Sequence, residues 1–251
     1  WSSDVCSSDL LLLFLSGCAS TERVKTEALT LLVVIDRQLA EYPSRSFTQH
    51  YSMKFMTEED TMHSVYDVTL QKLEDDEFGY RIRGNSQGFH VGYDGTDAWM
   101  GSLEDSSVTV FHEKDNPRRH IEGTFISDAR FPHVAGIRRF WALLDPFVPI
   151  TVTLSNARWR DDDVRVIELR KTGDEEIPLL VRRITVRLRD TIPVRVSEEM
   201  HSSDPMGTLV QYRDTWIENL ELEPVIPAGF FSVTSLPNHV RVKDYVEPST
   251  E

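Results

Sequence analysis

Cysteine is almost missing from this chain: of 251 residues, Cys6 and Cys18 carry the only thiols, and none follows position 18. An exported domain without a cysteine pair has no disulfide framework, so its stability has to come from burial and sheet hydrogen bonds. The same scarcity removes the cysteine zinc sites, and the eight histidines form no His-Glu-x-x-His pair. Basic charge is short as well. The 27 Lys and Arg face 41 Asp and Glu, a formal net charge of −14, which disfavours nucleic acid as a partner because phosphate binding needs a basic face. Also missing is an apolar run of the roughly 20 residues that a membrane-spanning helix takes. No Gly-x-Ser-x-Gly, phosphate loop or dinucleotide fingerprint appears. Asp161-Asp-Asp163 lacks the Gly and the later Glu of a calcium loop, and His120 beside Arg118 and Arg119 fits a solvated loop better than a base. No metal or cofactor is expected, and no enzyme signature is present. A glycosidase-like carboxylate pair stays open, because its separation is spatial rather than sequential.

What is present starts with Leu11-Leu-Leu-Phe-Leu-Ser-Gly-Cys18, an apolar run of the secretory kind followed by small residues. It resembles the lipobox of bacterial lipoproteins, in which the signal peptide is cut before a cysteine that carries acyl chains. The resemblance implies that Cys18 is lipidated and anchors the chain to a membrane of the bacterial envelope. Ala19 gives no Asp-type inner-membrane retention cue, so the outer membrane is the default. The first ten residues have two Asp and no Lys, Arg or Met. They are read as an artefact standing in for a basic leader and are set aside.

Residues 21–236 are expected to form one domain, a size ordinary for a mostly β fold of about 200 to 250 residues, with 237–251 as a tail. Val24, Ala28, Leu31, Ile35, Leu39 and Tyr42 recur at helical spacing and Pro43 ends the stripe. The period then changes to two. Strands are predicted over 47–56, 62–73, 78–83, 89–93, 98–103 and 107–112, with Asp94-Gly95 as a hairpin turn. Val134, Ile137, Trp141 and Leu144 make a helical stripe in the middle of the chain, read as a lid over sheet surface. Alternation resumes from Val148, and a last meander places Ile184, Val186 and Leu188 opposite Arg183, Arg187 and Arg189. Short turns throughout argue for antiparallel pairing.

The order of these pieces resembles the periplasmic lipoprotein-carrier superfamily, the LolA and LolB type that includes the sigma-regulator RseB. The residues that carry it are Tyr93-Asp-Gly-Thr-Asp-Ala-Trp99, the helical stretch 129–144, Asp190-Thr-Ile-Pro193, Asp204-Pro-Met-Gly207, Val210-Gln-Tyr212 and Ile226-Pro-Ala-Gly-Phe-Phe231. The resemblance implies an α+β, mostly β fold: an incomplete antiparallel β-barrel, a strongly curved sheet covered by an N-terminal helix and central helices. It also implies an apolar hollow that holds lipid or lipoprotein acyl chains. The family's lid-latching arginine has no match at any one position here.

On that view Tyr51, Met53, Phe55, Tyr80, Phe89, Trp99, Trp141, Val152, Ile184 and Trp216 line the concave side. Either they pack as an ordinary core or they leave a pocket of about 300 to 1,000 Å³. The expected function is lipid binding for lipoprotein sorting or transfer at the envelope, facing the periplasm. The alternatives are an RseB-like sensor or scaffold with an envelope protein partner, and an envelope hydrolase with unidentified carboxylates.

Overall fold

The structure, a computed structural model, describes residues 7–73, 80–86, 88–102, 105–117, 120, 150–171, 179–202 and 206–246, with 7–22 and 80 as backbone only. Among these the chain opens with α1 (Ser7–Glu41). The first meander follows: β1 (Ser44–Phe55), β2 (Thr61–Lys72), β3 (Tyr80–Ser86), β4 (Phe89–Tyr93), β5 (Ala98–Ser102) and β6 (Ser107–Phe111). The second comprises β7 (Ile150–Trp159), β8 (Asp162–Lys171), β9 (Leu179–Arg187), β10 (Ile192–His201) and β11 (Leu209–Leu222), and β12 (Arg241–Asp244) ends the described chain. No helix of the described residues is long and apolar enough to cross a membrane.

The described strands join in one 12-stranded open sheet, ordered β12-β6-β5-β4-β3-β2-β1-β11-β10-β9-β8-β7. Each meander is antiparallel because its turns are too short for a crossover. The two meet where β1 pairs with β11, the first strand with the last of the second meander. With a natural twist of about 20 to 25° per strand, a sheet this wide has to curve.

One face of the sheet carries α1. Ala28, Leu32, Ile35 and Leu39 are buried on that helix and join Phe47, Val68, Leu70, Ile82, Val91, Val152, Ile167, Ile184, Val196 and Ile217 in a single core. This is the stripe that the 3.6-residue period foretold, with Leu32 added beside the expected Leu31. We call this side the inner face. At Asn219, a residue with φ of 52°, β11 bulges against β1. The extra residue lets both Ile217 and Leu220 reach the inner core.

The outer face has a core of its own. Trp99, Val108 and Val110 are buried under Val233, Leu236 and Val240, so the chain after β11 crosses the back of the first meander. Within 237–251, expected as a tail, residues 241–244 form β12, which pairs in parallel with β6 at an edge of the sheet. The expected central helices, with Trp141, lie outside the described residues.

Candidate functional site

Burial on the inner face is graded along the strands. In β1 the inner positions Arg45, Phe47, Gln49 and Tyr51 are buried, whereas Met53 and Phe55 are only partly so. The antiparallel register sets further partly covered apolar residues beside these two, although Gln211, opposite Phe55, is buried. Met62 stands opposite Met53 and is 43 % exposed. Met200 stands opposite both Gln211 and Leu180, and Met200 and Leu180 are partly buried. Pro43 leads α1 into the other end of β1, and the helix meets the sheet at β7 and β10, with Glu27 ion-paired to Arg165 of β8. The face is thus sealed where β1 begins and open in side-chain terms where β1 ends. Met53, Met62, Met200, Phe55 and Leu180 mark that open end. Methionine is unbranched and polarizable, the side chain suited to surfaces that adapt to an apolar guest.

A row of charge runs through these residues. The cross-strand register sets Met53 opposite Arg213, Arg213 opposite Glu198, Glu198 opposite Arg182 and Arg182 opposite Leu169. Arg182 Nε donates to Glu198 Oε2 at 3.0 Å, and Arg213 Nη1 approaches Glu198 Oε1 at 3.7 Å. The Arg182 and Glu198 side chains are each 11 % exposed. Beside them Tyr51 Oη and Gln211 Nε2 both donate to Met53 Sδ, at 3.3 and 3.2 Å. Period-two reading assigned the inner face to apolar residues and missed this ladder. Its one sequence signal is that Arg182 shares the parity of Ile184 and Val186.

The sequence-derived site residues divide between the two faces. Tyr51, Met53, Phe55, Phe89, Val152 and Ile184 share the inner face. Val152 and Ile184 are ordinary core there, so Tyr51, Met53 and Phe55 are the members nearest the open end. Trp99 and Trp216, expected on the concave side, stand on the outer face. Trp99 takes the buried position under the crossing segment and donates from Nε1 to the Phe231 carbonyl at 2.9 Å. Trp216 is opposite His50 in the register, one residue out of phase with Tyr51 and Thr215. It stacks on that imidazole at 4.8 Å with 2° between the planes. Both differences have one cause: aromatic bulk does not decide which face of a strand a ring takes, and the cross-strand register does. Tyr80 begins β3, while its side chain, that of Cys18 and all of Trp141 lie outside the described residues.

The outer-face arginines are engaged. Arg183 bridges Glu168 and Glu199, Arg187 is held by Asp190, and Arg195 makes a two-point pair with Asp214 while lying 4.3 Å from the Trp159 ring. Burial works against the charge of Glu199, but Arg183 and His201 outweigh it and hold this carboxyl below its ordinary range. An outer-face groove of about 500 Å³ lies between Gln71, Arg81, Asp94 and Thr96 on one side and residues 226–232 on the other. Arg81 is already tied, on its own side of the groove, to the Asp94 carbonyl and to Gln71. Among the described residues no group of three His, Cys, Asp or Glu is placed to hold a metal ion.

Several solved structures are similar to this chain. A LolA superfamily protein from Nitrosomonas europaea is 12% identical, with a TM-score of 0.39, over 83% of this chain and 99% of that one. The lipoprotein LppX of Mycobacterium tuberculosis is 11% identical, with a TM-score of 0.41, over 78% of this chain and 97% of that one. A DUF1329 family protein from Desulfovibrio piger is 10% identical, with a TM-score of 0.39, over 85% and 99%. No protein-family model matches the sequence, and no curated protein matches it.

Proposed function

We propose that the open end of the inner face receives the hydrocarbon of a lipid or of a lipoprotein's acyl chains, in a protein held to the bacterial envelope through Cys18. One observation carries this reading. Burial thins at one end of one face, where Met53, Met62, Met200, Phe55 and Leu180 are partly uncovered beside Arg213, with Gln211 buried among them. A sheet that closed its own core would have no reason to gather them at one end. Each methylene of a guest placed against them contributes about 0.8 kcal/mol, so an acyl chain would be held by contact area alone. No bond is made or broken in this function.

The test is uptake of a fluorescent fatty acid by the delipidated full-length chain, followed by displacement with a lipopeptide. Binding that weakens several-fold in Met53→Asp supports the proposal. No uptake by the unaltered protein overturns it. The anchor is tested separately, by mass spectrometry of Cys18 after expression in a bacterium with lipoprotein-processing enzymes. Acylated Cys18 is the expected outcome.

A further inference from the structure

We infer that the lipid taken at the open end is an amphiphile with an anionic head, and that Arg213 is the residue that selects it. The inference rests on the lipid-binding reading above and adds the chemistry of the headgroup.

Two guanidiniums, Arg182 and Arg213, share one carboxylate, Glu198, and the sharing is unequal. Arg182 takes Glu198 with both Nε and Nη2, the first at 3.0 Å. Arg213 reaches the same carboxylate at 3.7 Å, its one charged contact among the described residues. Its Nε is buried with no hydrogen-bond partner. A buried donor left unmade costs about 1 to 3 kcal/mol, and more when the group is charged. An oxyanion brought to Arg213 would relieve that cost.

Position makes the Arg213 guanidinium useful. In the register Arg213 lies between Met53 and Glu198, and the next inner pair along β11 and β10 is Gln211 with Met200. Met62 and Phe55 flank Met53 on the same face. A hydrocarbon against the methionines and Phe55 therefore brings its polar end within reach of a guanidinium. The planar fork of arginine matches a carboxylate or a phosphate in two-point fashion. Among the outer-face arginines, Arg183, Arg187 and Arg195 each hold at least one carboxylate in close hydrogen bonds, and Arg83, whose Nε is likewise unpartnered, gives its Nη1 to the Phe230 carbonyl and the Ser235 hydroxyl on the face away from the methionines. A neutral acylglycerol would gain the same apolar contacts and leave Arg213 as it is.

Three single-chain probes separate the possibilities: oleate, oleoyl lysophosphatidate and monooleoylglycerol, each displacing a fluorescent acyl probe from the full-length protein. The expected result is preference for either anionic probe over the neutral one by about tenfold, the worth of one charge-assisted pair. Oleate against lysophosphatidate tells a carboxylate head from a phosphate head. Arg213→Gln should abolish the preference by bringing both anionic probes down to the affinity of monooleoylglycerol, and Arg213→Lys should retain part of it. Equal binding of all three by the unaltered protein overturns the inference and leaves lipid binding standing. Loss of all three alike in Arg213→Gln also overturns it, since Arg213 would then act only through packing. Binding of none by the unaltered protein overturns the lipid reading itself.

Discussion

Gly92 and Trp99 are directly opposed in the β4–β5 ladder, and the indole lies across the glycine. A Cβ on Gly92 would come within 2.5 Å of the indole Nε1, inside any permitted contact. The ring cannot simply move aside. It is buried beneath Val233, Leu236 and Val240, is held by the Phe231 carbonyl, and has the Arg83 guanidinium 5.7 Å from its centre. Gly92→Ala is therefore expected to cost about 1 to 3 kcal/mol through overpacking, read as a lower urea midpoint with unchanged slope. Because Trp99→Leu removes the other half of the same contact, the two costs should not add. An additive double variant would show that the indole has room to shift.

His112 ties the edge strand to the first meander. Its Nδ1 lies 3.2 Å from Asp97 and its Nε2 3.2 Å from Asp244 in β12. Hydrogen bonds to Asp244 and then Asp97 raise its pKa above the ordinary histidine value. A raised folded-state pKa stabilises the protonated form, so the contribution is complete below about pH 6.5. It is lost as the pH climbs through the raised value. Amide exchange at residues 241–245 should accelerate on going from pH 6 to pH 8 by more than the intrinsic chemistry requires. In His112→Gln the excess should vanish, and an excess that survives the substitution would place the pH response elsewhere.

His90 works in the opposite sense over the same range. Burial, and then the nearby Arg83 charge, depress its pKa, and Nδ1 lies 2.6 Å from the Asn85 amide oxygen. Its contribution is therefore present above the unfolded value of about 6.5 and declines as the pH falls below it. Thermal melts of His90→Gln should lose less stability than the parent between pH 7 and pH 5, whereas His112→Gln should lose more. A shift of the same sign in both variants would refute the opposition.

Periodicity alone revealed the helix, both meanders and the period-two faces of β1, β7 and β9, because each follows from local spacing of apolar residues. Partner choice was not local. Trp99 and Trp216 were set on the wrong face because aromatic bulk says nothing of which side of a strand a ring takes. Residues 237–246 looked like a tail because Arg241, Lys243 and Asp244 are polar. Such residues are what an exposed edge strand carries, and β12 is exposed throughout. Arg182, Arg213 and Glu198 are hidden for a third reason: their burial depends on cross-strand neighbours 13 or more residues away in sequence. At the candidate site, Tyr51, Met53 and Phe55 were legible from β1, whereas Met62, Met200 and Leu180 needed the register.

The ladder that those neighbours build also predicts how the inner face fails. Glu198 separates two guanidiniums whose strands flank its own, and with it gone Arg182 and Arg213 would face each other with their common counter-charge removed. Breaking a buried pair by deleting one partner typically costs about 3 to 5 kcal/mol, while replacing the whole pair with apolar groups of similar size is often close to neutral. Glu198→Leu should therefore unfold at markedly lower denaturant than the parent. Arg182→Leu/Glu198→Leu should recover only part of that loss, because Leu169 and Met53 extend the same row with apolar surface but Arg213 keeps its charge with no carboxylate beside it. Chemical denaturation followed by circular dichroism decides it. A double variant as unstable as Glu198→Leu would mean that the pair organises the sheet and is more than a tolerated charge within it.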